Sequence, residues 1–271
     1  MPYAVPNRNT DSPAASAVAP DHSNDRGLVR VNVRRGAPVL KALQPVLHGQ
    51  NGWVAGGFAR WCCSPHDAPT PAGDLDVFFG DEASLETVKA KLLKLGAFVT
   101  REVSYFVELD VSRVMSFRDG MSVEGMSRVP SVQLIKPFPG RSTSEPTERL
   151  RVSDVNCDRS WGPTLGHVVR QIDITVCRVG LCDASVGWAD QDFEKDEAER
   201  VVRPVCINNP ISVMVHAMKY VARGYALRSP EIVGLFEDWS SRSEEYRSKR
   251  VRPSKTGLGT DGYGEPVEEP V

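Results

Sequence analysis

The feature that most constrains this chain is a pair of charges inside an apolar run. Residues 73–79 read Gly-Asp-Leu-Asp-Val-Phe-Phe. Leu75, Val77, Phe78 and Phe79 demand burial, yet Asp74 and Asp76 interrupt them at period two. In a β-strand, residues two apart project from the same face. The two carboxylates therefore stand together, about 7 Å apart at ~3.3 Å rise per residue. Charged groups are buried only when paired or bound to a metal. Hard oxygen donors of this kind suit Mg²⁺ or Mn²⁺, which commonly take one or two carboxylates together with substrate phosphates. The alternative is a strand end that emerges at the surface.

Seventeen residues before Asp74 an apolar run, "WVAGG", ends at Gly56-Gly57. Glycines at a strand-to-helix turn remove side chains where phosphate oxygens meet backbone N–H groups, although the pair also suits a plain tight turn. A further carboxylate on a neighbouring strand is expected for a two-metal site, where it activates the attacking hydroxyl. "QIDITV" offers Asp173 between Ile172 and Ile174, with pairing to Arg170 or Arg178 as the alternative.

The remaining elements follow from periodicity. "DEASLETVKAKLLKLG" is a helix capped by Asp81, ended by Gly96, and striped by Leu85, Val88, Leu92 and Leu95. "AFVTREVSYFVEL", "RVMSF", "SVQLIKPF" and "RQIDITVCRVG" read as strands, and "DQDFEKDEAERVVR" as a charged connector. "NPISVMVHAMKYVARGYAL" is a long helix with an apolar stripe of Ile211, Val215, Met218, Ala222 and Tyr225. His216, Lys219 and Arg223 share another of its faces. A last helix starts at Ser229-Pro230.

This order implies an α+β fold, a mixed sheet flanked by helices and followed by a small helical module. The expected divisions are a disordered leader over 1–27, a catalytic domain over 28–205, a helical module over 206–250 and a disordered tail over 251–271. Residues 139–163 read as a polar loop. With 33 Lys and Arg against 35 Asp and Glu, the net charge is −2. That excludes a protein that coats nucleic acid by bulk charge and leaves room for a local basic groove, for which the cluster from Arg242 to Lys255 is one candidate. No run of apolar residues approaches ~18, so no membrane-spanning helix is expected. The six cysteines lack the spacing of a disulfide framework or a zinc site. A cytoplasmic protein with structural, reduced thiols is the expectation.

Taken in order, Gly56-Gly57, Asp74-Leu75-Asp76 and Ile172-Asp173-Ile174 resemble the pattern of the nucleotidyltransferase superfamily that includes DNA polymerase beta, poly(A) polymerases and CCA-adding enzymes. "GGFAR…GDLDVFF" is similar to the Gly-Gly-x-x-Arg…Asp-x-Asp stretch of the CCA-adding and poly(A) polymerase group. Arg60 stands at the Arg position, and Trp61 stands where an Asp often follows. The resemblance implies a metal-dependent transfer of a nucleoside monophosphate from an NTP to a hydroxyl of RNA, protein or a small molecule. Asp74, Asp76 and Asp173 would be catalytic and hold Mg²⁺ or Mn²⁺. Gly56, Gly57, Arg60, Lys219 and Arg223 would bind the nucleotide. Arg60 equally suits a salt bridge, and Lys219 and Arg223 a solvated helix face. Two other readings share the fold: a silent nucleotide-binding or assembly module, and a toxin- or antitoxin-type regulator.

Overall fold

The computed structural model describes residues 27–66, 74–103, 105–123, 131–137, 164–181, 183–207, 209–244 and 246–247. The expected tail over 251–271, the loop over 139–163 and the leader, save Gly27, lie outside the described residues.

The described residues build one eight-stranded sheet. Its strands are β1 (Leu28–Asn32), β2 (Gly52–Ala55), β3 (Asp74–Phe79), β4 (Phe98–Glu102), β5 (Phe106–Asp110), β6 (Ser131–Ile135), β7 (Val179–Leu181) and β8 (Val186–Asp190). They lie in the order β1-β8-β7-β2-β3-β6-β5-β4. Every pairing is antiparallel except that of β3 with β6. The expected α+β architecture is the one observed.

Alternation along the central strands divides the core between two faces. Leu75, Val77 and Phe79 of β3 join Val132, Leu134, Val107 and Leu109 in one cluster. It is roofed by α1 (Ala37–Leu47), α3 (Glu82–Lys94) and α4 (Met115–Val123) through residues such as Leu43, Leu85 and Phe117. Phe78, Phe106 and Ile135 point the other way, into a second cluster. That cluster is closed by α5 (Leu165–Gln171), α7 (Pro210–Val221) and α8 (Ser229–Ser241). The segment after residue 205 thus contributes Val213, Ala217, Tyr220 and Leu235 to the same core as the sheet.

Four elements differ from expectation. "RVMSF" supplies the start of α4 rather than a strand. Its Phe117 is buried, and Gly120 lets the helix lie against α1, since a Cβ there would come within 3.0 Å of the Pro38 carbonyl. "DQDFEKDEAERVVR" contains α6 (Phe193–Glu199), whose Asp196 and Glu197 are buried against Arg203 and Arg60. On α7 the buried residues include Val213, Ala217 and Tyr220; of the expected stripe, Val215 and Met218 are exposed and Tyr225, past the helix end, is buried. The helix is apolar nearly all round, so periodicity could not choose its inner face. "QIDITV" is not a sheet strand: α5 ends at Gln171, Ile174 makes a lone bridge to Pro204, and Thr175–Cys177 is a 3₁₀ turn. Its alternation is satisfied by burial of Ile172, Ile174 and Val176 instead of by a strand ladder.

Helix α3 matches its sequence signals. Asp81 accepts from the Ser84 N–H at 2.7 Å, and Gly96 sits at φ 103° where a side chain would be strained. Leu85, Val88 and Leu92 are buried, whereas Leu95 is exposed past the helix end. The Ser84 backbone hydrogen bond holds the Asp81 carboxyl below its usual range. This cap therefore stabilises the protein above the unfolded carboxyl pKa and is lost as pH falls through the folded value. Asp81→Ala should lower stability by about 1 kcal/mol at pH 7, with the deficit shrinking in acid. Urea unfolding of both proteins at pH 7 and pH 3 measures it.

Candidate functional site

Strand β2 ends at Ala55, which pairs with Asp76 of β3. The chain then turns at Gly56, with φ 78° and ψ −141°, a conformation open in practice only to glycine. Its N–H donates to the Val179 carbonyl at 3.1 Å, and its own carbonyl accepts from Arg60 N–H at 2.9 Å. Gly57 opens the short helix α2 (Gly57–Cys63). A Cβ built on Gly56 would stand 3.4 Å from Asp76 Oδ2. The turn and the carboxylate are therefore in direct apposition.

Asp74 and Asp76 share the second face of β3. Asp74 is exposed and accepts from the Ser131 hydroxyl on β6 at 3.0 Å. Asp76 is half-buried. Burial and then the neighbouring charge of Asp74 push its carboxyl up to about 7, while His216 and Lys219 of α7 pull in the opposite direction. Two side chains of α7 thus lie near enough to Asp76 to act on its charge. Two hard, closely spaced carboxylates with compensating cations opposite are a donor set that fits one Mg²⁺ or Mn²⁺.

Asp173 is held differently. It lies at the bend after α5, and its carboxylate accepts from His216 Nδ1 at 2.8 Å. Its backbone carbonyl accepts from Val205 and Cys206. Burial works against a charged imidazole, but the Asp173 charge and hydrogen bond, with help from Cys177, hold the His216 pKa well above its ordinary range. Asp173 thus favours the protonated form of His216 and stands as its ion-pair partner. Arg178 does not take the Asp173 carboxylate: it binds Asp190 and the carbonyls of Ile172 and Arg170. Among the described residues no three His, Cys, Asp or Glu side chains gather closely enough to share a metal ion. The expected set of Asp74, Asp76 and Asp173 is therefore not assembled as one cluster, because Asp173 left the sheet.

Lys219 is exposed on α7, and Arg223, just past its end, stacks on the Tyr220 ring at 5.0 Å. Arg60, expected beside the nucleotide, is 1 % exposed. Its Nη1 donates to Glu197 and to the Tyr225 hydroxyl, both at 2.9 Å, and its guanidinium lies over Tyr220 and Tyr225. The salt-bridge alternative describes its place. Cys62 and Cys63 are buried, with the Cys63 thiol pushed up to about 12 by burial, and His66 Nε2 donates to the Glu197 carbonyl at 2.6 Å.

One residue on the site face was missed. The register sets Gln133 of β6 beside Asp76, with Ser131 beside Asp74 and Glu108 of β5 beyond Gln133. Polar Ser131 and Gln133, at period two in "SVQLI", carried the same signal as the Asp pair.

No protein-family profile matches this chain, and no curated protein does. Solved structures similar to it include a tRNA nucleotidyltransferase complexed with a primer tRNA and an incoming ATP analog, at 14% identity and TM-score 0.44 over 74% of this chain and 50% of that one. The Thermotoga maritima CCA-adding enzyme complexed with tRNA is 12% identical, with TM-score 0.46 over 79% of this chain and 42% of that one. A CCA-adding enzyme with CTP gives 12%, 0.45, 79% and 47%. The chain spans half or less of the length of these structures. No described helix is long and apolar enough to cross a membrane.

Two outcomes follow from the electrostatics. In the unfolded chain Asp76 titrates near ~4, so between pH 4 and 7 the folded state keeps a proton that the unfolded state releases. Stability should then fall as pH rises through this window, by on the order of 1–2 kcal/mol after allowance for the open side of the group. In a chelating buffer, Asp76→Asn should be more stable than wild type at pH 8, with the gap narrowing at pH 5. Equal melting curves at both pH values would sink this reading of Asp76. The second outcome concerns Arg60. Glu197→Gln strands a buried guanidinium and should cost about 3–5 kcal/mol, whereas Arg60→Met with Glu197→Leu should recover much of it, as read from urea midpoints.

Proposed function

We propose that this site binds a nucleoside triphosphate with one of its divalent cations and transfers the nucleoside monophosphate to a hydroxyl acceptor. The observation that carries this reading is the apposition of Gly56 and Asp76, with Asp74 on the same strand face. Asp74 and Asp76 would hold Mg²⁺ or Mn²⁺. When bound, that ion supplies charge neutralisation at the phosphates and draws electron density from the phosphorus.

The protein's own groups do the rest. The Gly56-Gly57 turn leaves room for phosphate oxygens beside the carboxylates. His216, kept charged by Asp173, and Lys219 supply fixed positive charge on the opposite wall, where charge develops on the departing pyrophosphate. Arg223 extends that wall. Arg60 contributes by fixing α2, the helix that begins at Gly57, to α6 through Glu197. Asp173 acts through His216 rather than as a base for the acceptor.

A second reading is favoured by one observation: the residue beside Asp76 on the neighbouring strand is the neutral Gln133. A site with two carboxylates suits nucleotide binding without turnover, in a sensor or assembly module. RNA, a protein and a small molecule are the acceptor classes to compare.

Incubation with each labelled NTP, Mg²⁺ or Mn²⁺ and bulk RNA or cell extract distinguishes the two. Transfer is expected, with Asp76→Asn reducing it by on the order of 10³. Cation-dependent NTP binding without pyrophosphate release from any acceptor would establish the module instead. Loss of neither binding nor transfer in Asp76→Asn would remove the site itself.

A further inference from the structure

The sheet register bears on how many cations the nucleotide brings with it. Residues paired across neighbouring strands project from the same face. The second face of β3, β6 and β5 therefore presents Asp76, Gln133 and Glu108 as one row. The same face presents Asp74 beside Ser131, whose hydroxyl donates to it. Two cations held 3.5–4 Å apart, as two-metal transfer requires (roughly), need a further anionic oxygen beside the first pair. The position that could supply it is filled by an amide. An amide oxygen is a neutral donor and does not offset the repulsion of a second divalent ion.

No other described side chain takes over. Glu108 is one strand farther, about 10 Å from Asp76 at ~4.8 Å per strand. Asp173 is off the sheet and committed to His216. On α7, the Lys219 ammonium has no lone pair to offer a metal, and His216 Nδ1 is engaged by Asp173. The fixed charge of Lys219, which acts on Asp76, itself opposes a second ion.

We infer that this site takes up a nucleoside triphosphate with a single divalent cation, held by Asp74 and Asp76, and that Gln133 is the residue that limits it to one. The inference rests on the nucleotide-binding reading above and specifies its metal stoichiometry. It also sets the chemistry available to the bound nucleotide. The cation and the α7 wall neutralise the phosphates, while the attacking hydroxyl has no metal to lower its pKa. Any transfer should then be slow and steeply dependent on hydroxide.

Mn²⁺ titration followed by electron paramagnetic resonance tests this on the full chain saturated with a non-hydrolysable NTP analogue. The expected count is one ion per bound nucleotide in wild type and in Gln133→Ala, and two in Gln133→Glu. Circular dichroism and melting curves of each variant confirm that the count comes from folded protein. A count of two in wild type overturns the inference and leaves the nucleotide-binding reading standing. A count of one in a folded Gln133→Glu protein overturns the role of Gln133. If wild type binds no Mn²⁺ and no analogue, the site reading falls and takes the inference with it.

Discussion

A buried ion pair organises this molecule. Arg60 sits three residues into the helix that follows the glycine turn, Glu197 lies on α6, and Tyr225 follows α7; together they close a contact between segments 137 and 165 residues apart. Burial opposes a charge at Arg60, yet Tyr220, Glu197 and Tyr225 together raise its affinity for the proton. A pair so buried adds little net stability against a well-packed apolar substitute, because two charges had to leave water. What it specifies is position. Arg60 sets the angle of α2, and α2 sets where Gly56 meets Asp76. Tyr220, under the same guanidinium, hydrogen-bonds Cys177, whose thiol in turn helps hold His216 charged. The glycine turn and the cationic wall of α7 are thereby registered to one another through a single arginine.

The parts of the site that were legible in the sequence are the local ones. Asp74 and Asp76 stand out because an alternating carboxylate in an apolar strand has no cheap explanation. Gly56 stands out because a paired glycine at the end of an apolar run marks a turn. The cap of α3 needed only Asp81 and Ser84. The parts that were not legible depend on partners far along the chain. The acidic run of α6 looks like a solvated surface until Arg203 and Arg60 are placed against Asp196 and Glu197. Asp173 sits in a perfect alternation, yet Pro204, which lacks an N–H, and the Asp173 carbonyl bonds to Val205 and Cys206 commit that backbone elsewhere. On α7 two apolar stripes compete, and only the shape of the sheet beneath chooses Val213, Ala217 and Tyr220.

The chemistry of the site is accordingly a balance of fixed charges. Asp74 and Asp76 repel one another, and α7 answers with His216 and Lys219. Asp173 holds the histidine in its charged form at the same time. In the proposed function, a ligand that carries both negative phosphates and a metal cation would answer both sets of charges at once, which neither a bare cation nor a bare anion would.

The single parallel pairing, β3 with β6, has a consequence for how the protein reaches its native state. Antiparallel neighbours such as β4 and β5 are joined by a short turn, but Asp74 meets Ser131 across 57 residues. Closing a loop that holds α3, β4, β5 and α4 costs entropy that only the pairing of the two strands repays. The row containing Asp76 and Gln133 therefore depends on a contact of long sequence separation. A nascent or partly unfolded chain can carry a formed β4–β5 hairpin and a capped α3 without the row that sets Asp76 beside Gln133.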